Sequence, residues 1–104
     1  MADLSPVIGS EQSGQRPVVV VNSPFYASFP ISMAIVVPLT TQDRGLPHHV
    51  PVSSAQSGLR RQSWARTDDV RAISEQRFTG RPLGSVSDKE ADDIRAYLRL
   101  MLDI

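Results

Sequence analysis

Two runs of apolar residues dominate the first half of the chain. Pro17–Val21 holds four consecutive valines, and Met33–Leu39 reads M-A-I-V-V-P-L. Unbroken β-branched runs of this length are typical of strands that are buried on both faces. A polar loop, Gly9–Arg16, leads directly into the first run, and Pro38 indicates a bulge or a sheet edge near the end of the second. The pattern therefore predicts a charged loop attached to a rigid central strand.

Shorter apolar stretches follow, separated by turn-forming residues. His48–Val52 is predicted as a short strand interrupted by Pro51, and Gln62–Ile73 as two short strands or one bent strand. We expect a helical turn at Ser74–Phe78 and a loop or short strand at Gly80–Val86. Short strands at this spacing favour a small, strongly curved sheet or barrel.

The last element has the pattern of a capped amphipathic helix. Ser87 and Glu90 match the capping box, in which Ser is the N-cap and Glu follows three residues later. Apolar residues then recur at helical spacing, namely Ala91, Ile94, Leu98 and Met101, with Tyr97 and Leu102 beside them. We expect about four turns packed on the sheet. The fold class is therefore mainly β with a C-terminal α-helix, in a single domain over residues 1–104.

Composition narrows the function classes. The chain of 104 residues has 11 basic and 11 acidic residues, which argues against nucleic-acid binding by bulk charge. Ten of the basic residues are Arg, whose planar fork suits phosphates and base edges, although a GC-rich genome would also favour Arg. The absence of Cys excludes disulfide and thiolate chemistry and fits a cytoplasmic protein. We expect neither a membrane span nor a signal peptide.

The residues that could carry chemistry are few. His48 and His49 are adjacent, and neighbours on a strand point to opposite faces, so they should not serve one catalytic or metal site. No metal-ligand spacing is present, and we predict no metal and no cofactor. If residues 65–70 are extended, Arg66 and Asp68 share a face, roughly 6–7 Å apart. An acid and a base so placed suit phosphoryl transfer, and a surface ion pair is the alternative.

Four segments together resemble the MazF/PemK/Kid family of bacterial toxins. They are G-S-E-Q-S-G-Q-R-P-V-V-V-V-N from Gly9, A-I-V-V-P-L-T-T from Ala34, S-W-A-R-T-D-D-V-R-A-I-S from Ser63 and R-P-L-G-S-V-S from Arg81. The resemblance implies an SH3-like barrel that forms a homodimer. It also implies a metal-independent, sequence-specific endoribonuclease that cleaves single-stranded mRNA. In this family's reaction the ribose 2′-hydroxyl attacks the adjacent phosphate. The implied partner is an antitoxin whose acidic tail occupies the RNA groove.

The resemblance also assigns roles to single residues. Arg16 matches the Arg that contacts the scissile phosphate, and Thr40 the Thr that positions it. Arg66 and Asp68 match a proposed acid and base, and Glu11 matches a loop Glu of variable role. Candidate RNA-binding residues lie in the same loops or flank the expected groove: Ser10, Gln12, Thr41, Gln42, Arg44, His49, Arg60 and Arg61.

The sequence departs from the family pattern in places that keep two alternatives open. An Arg-Gly-Asp/Glu-Ile-Trp strand usually begins these proteins, and here the first strand is predicted to be truncated. Asp69 stands where many members have Gln. One alternative is a truncated, inactive member that only binds antitoxin. The other is a CcdB-like gyrase poison, which is disfavoured because those proteins need a terminal Trp-Gly-Ile and this chain ends Leu-Asp-Ile.

Overall fold

The chain forms an antiparallel sheet with a long C-terminal helix, in a computed structural model that describes residues 7–11 and 16–104. The elements in chain order are β1 (Val7–Glu11), β2 (Arg16–Val20), α1 (Pro24–Ala27), β3 (Met33–Thr40), β4 (His49–Val52), β5 (Ser63–Arg66), β6 (Arg71–Ser74), β7 (Phe78–Ser85) and α2 (Asp88–Leu102). Single 3₁₀ turns cover Ala55–Ser57, Thr67–Asp69 and Glu75–Arg77. The predicted fold class, mainly β with a C-terminal helix, is confirmed.

β3 is the strand around which the sheet is built. The strand order is β4-β5-β3-β2-β1-β7, and β6 also pairs with β3. The first half of β3 pairs with β6 and its end pairs with β5, so Pro38 lies near the point where the partner changes. On its other side Pro38 is in register with Val18 of β2. The predicted edge position at Pro38 is therefore wrong, because the residue is buried in the centre of the sheet.

β2 and β3 are buried on both faces, as the valine runs predicted. Val18 and Val36 belong to one apolar cluster, and Val19 and Val37 to the other. All four side chains have no solvent exposure. Two layers of β-branched side chains, one on each face, hold β2 and β3 in place, so the residues at the ends of these strands stand on a rigid support.

The predicted loop from Gly9 begins three residues too early, because β1 continues to Glu11. β1 lies between β2 and β7 and is in register with both. Its buried Ile8 anchors it to the core. β7 is likewise a full eight-residue strand, where the sequence suggested a loop or a short strand. Residues 1–6 lie outside the described residues, so the truncation of the first strand stays a prediction.

The strands of the described residues curve strongly without closing into a complete barrel. β4 and β7 are at opposite ends of the strand order. The 3₁₀ turn after β4 bridges toward β7, where Gln56 Nε2 donates to the Val86 carbonyl at 2.9 Å. The backbones approach closely at this seam: a Cβ on Gly84 would lie 2.2 Å from the Gln56 carbonyl oxygen. A glycine contact thus replaces the strand pairing that a closed barrel would have.

α2 has the predicted capping box. Ser87 Oγ accepts from the Glu90 N–H at 3.1 Å, and Glu90 Oε1 accepts from the Ser87 N–H at 2.8 Å. Ala91 and Ile94 are buried against the sheet, with Tyr97 and Leu98 packed beside them. The predicted stripe ends there: the exposed fractions of Met101 and Leu102 are 44% and 52%, since α2 runs past the core. Within the described ranges, no helix is long and apolar enough to cross a membrane.

Candidate functional site

A polar groove of about 450 Å³ opens where four strands end or begin. Its polar walls come from the start of β2, the end of β3 with the following loop, the end of β5 with its 3₁₀ turn, and the start of β6. We call it the arginine groove, and its polar lining residues are Arg16, Thr40, Thr41, Gln42, Arg44, Arg66, Asp69 and Arg71. Six of these eight were predicted from the sequence as catalytic or RNA-binding residues; Asp69 and Arg71 were not.

Strand register brings these residues together. Val18 lies opposite Pro38, so Arg16, two residues earlier on β2, comes beside Thr40, two residues later on antiparallel β3. On the other edge of β3, Val36 is in register with Arg71. Arg16 and Thr40 therefore stand at the ends of two strands with buried interiors, and Arg66 and Arg71 at the ends of strands that pair with β3. A rigid sheet fixes mobile polar groups in this way.

The groove carries four arginines and one carboxylate among its lining residues. Arg66 Nη1 lies 3.7 Å from Asp69 Oδ2, and both side chains are partly exposed. The guanidinium groups can hold a phosphate in bidentate fashion and offset charge that develops on its oxygens. An excess of cations in a concave site is suited to a polyanionic ligand.

The loop after β3 is ordered by its own side chains. Thr40 Oγ1 accepts from the Gln42 N–H at 3.1 Å, and Gln42 Oε1 accepts from Arg44 Nη2 at 3.0 Å. The Thr40 hydroxyl proton is not used in that contact, so the hydroxyl can still donate into the groove. Gln42 and Arg44 stand exposed at the groove rim, where they can reach groups beyond a single phosphate.

The predicted common face of Arg66 and Asp68 is wrong, because the chain is not extended there. β5 ends at Arg66, and Thr67–Asp69 turns as a 3₁₀ helix. The reason is a long-range hydrogen bond: buried Thr67 Oγ1 donates to the His48 carbonyl at 2.7 Å and pulls the turn inward. As a result Asp69, not Asp68, faces Arg66 in the groove.

Asp68 instead meets both histidines, which contradicts the prediction that they face apart. Asp68 Oδ1 lies 3.3 Å from His48 Nε2 and 3.9 Å from His49 Nε2. His48 belongs to the turn before β4, so strand alternation does not apply to it. The His49 side chain is only 5% exposed. Burial and the neighbouring His48 lower the pKa of His49 below its ordinary value of 6.5 and outweigh the opposing effect of Asp68.

The remaining predicted residues lie apart from the groove. Ser10 is in β1 and lines a separate, more apolar hollow with Phe78 and Thr79. Arg60 and Arg61 are exposed in the connection between β4 and β5, and neither lines the groove. Glu11 ends β1, in backbone register with Arg16. Gln12 lies outside the described residues.

The two groove residues that the sequence prediction missed follow from the turn at Thr67. The turn shifts the second of two consecutive aspartates into the groove and restarts the chain as β6 at Arg71. A signal was present in the sequence, since Arg66 and Arg71 flank the same Thr-Asp-Asp-Val segment. If residues 66–71 were an extended strand, Arg66 and Arg71 would point to opposite faces, and only the turn brings both to one cavity.

Known proteins resemble this chain along nearly its whole length. A family model described as PemK-like, MazF-like toxin of type II toxin-antitoxin system matches residues 1–102. The chain is 33% identical over 102 residues to Endoribonuclease EndoA of Bacillus subtilis, covering 97% of this chain and 87% of the relative. It is 35% identical over 100 residues to Endoribonuclease toxin MazF of Escherichia coli, covering 96% and 86%.

The fold is also that of a solved toxin complex. An endoribonuclease in complex with its cognate antitoxin from a mycobacterial species superposes with a TM-score of 0.82, covering 99% of this chain and 97% of that chain. Its sequence is 20% identical, so this likeness concerns the fold alone.

Proposed function

The chain belongs to the PemK-like, MazF-like toxins of type II toxin–antitoxin systems and is an endoribonuclease of that family, and from this premise we propose that its arginine groove cleaves single-stranded mRNA at a short sequence. The observation that carries the proposal is the convergence of Arg16, Arg66, Arg71 and Thr40 on one groove at the ends of buried strands. The guanidinium groups of such a groove can hold a phosphodiester, and sequence-specific RNA recognition targets single strands with splayed bases.

The reaction needs no cofactor in this proposal. A carboxylate removes the proton of the ribose 2′-hydroxyl, and the 2′-oxygen forms a bond to the adjacent phosphorus. The bond from phosphorus to the 5′-oxygen breaks, and that oxygen takes up a proton from a donor in the groove. The products are a 2′,3′-cyclic phosphate and a 5′-hydroxyl end. Arg16 and Arg66 stabilise the charge that builds on the phosphorane oxygens, and Thr40 orients the phosphate.

We assign the base to Asp68 and a positioning role to Asp69. Asp69 is already paired with Arg66 and holds that guanidinium in the groove. Asp68 is about half exposed on the same turn, so a ribose hydroxyl can approach its carboxylate. The backbone of Glu11 ends β1 in register with Arg16, the first residue of β2.

Base recognition falls to the loop after β3. Thr41, Gln42 and Arg44 line the groove rim and offer both donors and acceptors to base edges. Arg60, Arg61, Ser10 and His49 lie outside this rim, so their effect on the cleavage sequence should be smaller.

The same groove is proposed to receive the antitoxin. An acidic, extended segment carries carboxylates at spacings that can meet several guanidiniums, as a phosphodiester chain does. The four groove arginines support this proposal, because Asp69 is the single carboxylate among the described residues that line the groove. Antitoxin bound there would exclude RNA, which is how the toxin would be kept inactive in the cytoplasm.

A homodimer is proposed through the exposed end of α2. Leu100, Leu102 and Ile104 are 70%, 52% and 84% exposed, and exposed large apolar residues concentrated at one end of an element are typical of an interaction surface. Light scattering should give twice the chain mass for the wild type and the monomer mass for Leu100→Glu. Ala96→Glu, on an exposed position of the same helix, is the control. A wild-type monomer would contradict the dimer.

Primer extension on a long RNA tests the proposed function. We expect discrete stops at one short sequence in the presence of EDTA, and 5′-hydroxyl ends at those stops. Arg16→Ala should abolish the stops with an unchanged circular dichroism spectrum, whereas Arg95→Ala, on exposed α2, should cut like the wild type. No cleavage by wild-type protein, or equal cleavage by Arg16→Ala, would overturn the function or the site respectively.

The two aspartates provide an internal comparison. Asp68→Asn should remove cleavage, whereas Asp69→Asn should leave a measurable rate with a weaker apparent RNA affinity. The reverse order would move the base to Asp69. An inactive antitoxin-binding member or a gyrase poison would show no RNA stops with any variant.

A further inference from the structure

The histidine pair and Asp68 form a second candidate site next to the arginine groove, since Asp68 and the groove residue Asp69 are neighbours on one 3₁₀ turn. One ligand atom from each of His48, His49 and Asp68 can be chosen so that all three lie within 4.8 Å of one another. The two rings are close to perpendicular, with centroids 4.8 Å apart, so their nitrogen atoms approach the carboxylate from different directions. Such a set leaves a fourth direction open to solvent, since Asp68 is about half exposed.

The cluster leaves ring nitrogens unsatisfied. Within the described residues, His48 Nε2 and His49 Nδ1 are buried without a hydrogen-bond partner, and His48 Nε2 is 3.3 Å from Asp68 Oδ1. The His49 nitrogen nearer to Asp68 is Nε2, at 3.9 Å. Buried polar atoms usually have a partner, and a ring nitrogen beside a carboxylate oxygen can take a cation as its partner. Imidazole nitrogens beside one carboxylate oxygen are the donor set that late first-row metals prefer.

The backbone holds the two halves of the cluster together. Thr67 has no solvent exposure, and its hydroxyl donates to the His48 carbonyl. That hydrogen bond joins the start of β4, where the histidines lie, to the turn that carries Asp68. The donor atoms are thus brought close before any ligand binds, which reduces the ordering that binding would require.

The geometry points to a site for a divalent transition-metal ion, Zn²⁺ in the first place, held by His48, His49 and Asp68. Tetrahedral coordination with bonds of about 2.0–2.1 Å places ligand atoms about 3.3 Å apart. The distance from His48 to Asp68 already has that value, the distance from His49 to Asp68 is 3.9 Å, and no two donor atoms are more than 4.8 Å apart. Metal binding would draw the two rings closer together by rotation of their side chains. A water molecule would take the open fourth position.

Occupation of this site would inhibit the nuclease, a consequence that rests on the function proposed above. A carboxylate oxygen bound to Zn²⁺ no longer accepts the proton of a ribose hydroxyl, so the ion would take Asp68 out of the reaction. RNA cleavage without metal and inhibition by metal are therefore compatible. The toxin would respond to the free zinc level as well as to its antitoxin.

Metal binding is tested first, without RNA. Untagged protein is stripped with a chelator, titrated with Co²⁺ while the visible absorption bands of the ion are followed, and then challenged with Zn²⁺. We expect one equivalent of Co²⁺ with bands of tetrahedral intensity, displaced by Zn²⁺. His48→Ala and Asp68→Asn should weaken binding about 100-fold or more, since loss of an outer-shell partner alone costs 10–100-fold.

Asp69→Asn is the matched control, because it removes the neighbouring carboxylate and leaves the three donors intact. Equal weakening by Asp69→Asn and Asp68→Asn would overturn the site, as would wild-type binding no tighter than that of His48→Ala. The only histidines of the chain are in the cluster, so no other imidazole contributes to the signal.

Inhibition is tested separately by primer extension. Zn²⁺ should block cleavage by the wild type, and EDTA should restore it. His48→Ala, which has no part in the proposed reaction, should cut at the wild-type rate and resist Zn²⁺. Binding without inhibition would overturn the regulatory consequence alone. Absence of cleavage under all conditions would overturn the proposed function, and the Co²⁺ titration would still decide the metal site.

Discussion

Removal of the Glu90 carboxylate should destabilise the fold more than any other substitution of an acidic residue on α2. Glu90 Oε1 accepts from the Ser87 N–H and the Ser54 hydroxyl, both at 2.8 Å. Glu90 Oε2 accepts from the Ser53 N–H at 2.8 Å and the Ser54 N–H at 3.1 Å. One side chain thus caps the helix and binds it to the segment that follows β4.

The magnitude follows from these four contacts. A hydrogen bond to a charged group contributes about 1.5–3 kcal/mol, but the bonds share one carboxylate and are not additive. Water can reach the freed Ser53 N–H, since Ser53 is exposed, whereas Ser54 is half-buried. We expect Glu90→Ala to lower the free energy of unfolding by about 3 kcal/mol. Glu90→Gln, which retains one acceptor oxygen, should lower it by about 2 kcal/mol.

Urea denaturation followed by the fluorescence of Trp64, the single tryptophan, measures these differences. Thermal unfolding should show a Tm lower by roughly 12 °C or more for Glu90→Ala. Asp92→Asn is the control, because Asp92 is exposed and only pairs with Arg95 on the same helix. If Glu90→Ala lowered the free energy of unfolding by less than about 1 kcal/mol, the reasoning would be refuted, since an exposed carboxylate in a surface ion pair contributes that much.

The pH dependence gives an independent check. Burial alone would raise the pKa of Glu90, but the hydrogen bonds from Ser87, Ser53 and Ser54 outweigh it and hold the pKa below its ordinary value of 4.5. The carboxylate therefore stabilises the fold fully above pH 4.5, and this contribution is lost as the pH falls through the lower folded-state pKa. The stability difference between wild type and Glu90→Gln should be constant near neutral pH and shrink in acid. A difference that grows in acid would contradict this sign.

Three further predictions concern the seam, the turn and the groove. Gly84→Ala should destabilise by about 1–3 kcal/mol in urea denaturation, because its Cβ would strike a backbone carbonyl; unchanged stability would contradict the close approach. Thr67→Val should lower the free energy of unfolding by about 1–2 kcal/mol, because the hydrogen bond to the His48 carbonyl is lost. Amide hydrogen exchange near His48 should become faster, and unchanged exchange would contradict the role of this hydrogen bond in holding the turn. Arg71→Ala should weaken RNA binding at every sequence, whereas Arg95→Ala should leave the affinity unchanged. In a plot of the logarithm of the binding constant against the logarithm of the salt concentration, Arg71→Ala should reduce the slope by about 1.

The central strands and the start of α2 could be predicted from the sequence, because each depends only on residues that are close together along the chain. The valine run of β2 and its partner β3 could be predicted because β-branched residues in sequence suit a strand buried on both faces. The helix start could be predicted because Ser87 and Glu90 satisfy each other within one turn. Neither inference needs a distant residue.

The parts that were missed depend on contacts between distant segments. Thr67 turns the chain because its hydroxyl reaches the His48 carbonyl, and nothing near Thr67 in sequence indicates that partner. Polar β1 and the Gly- and Pro-containing β7 become strands because each supplies the hydrogen bonds of the other. The candidate site lies where these contacts accumulate, so its residues could be predicted more readily than its geometry.

The position of β1 between β2 and β7 has a consequence for synthesis of the toxin. β1 is made before β7, so one of its edges has no partner until residues 78–85 have been made. A nascent chain in that state would expose an unpaired strand edge, which can pair with a strand of another chain. The pairing of β7 therefore protects the newly made toxin from aggregation.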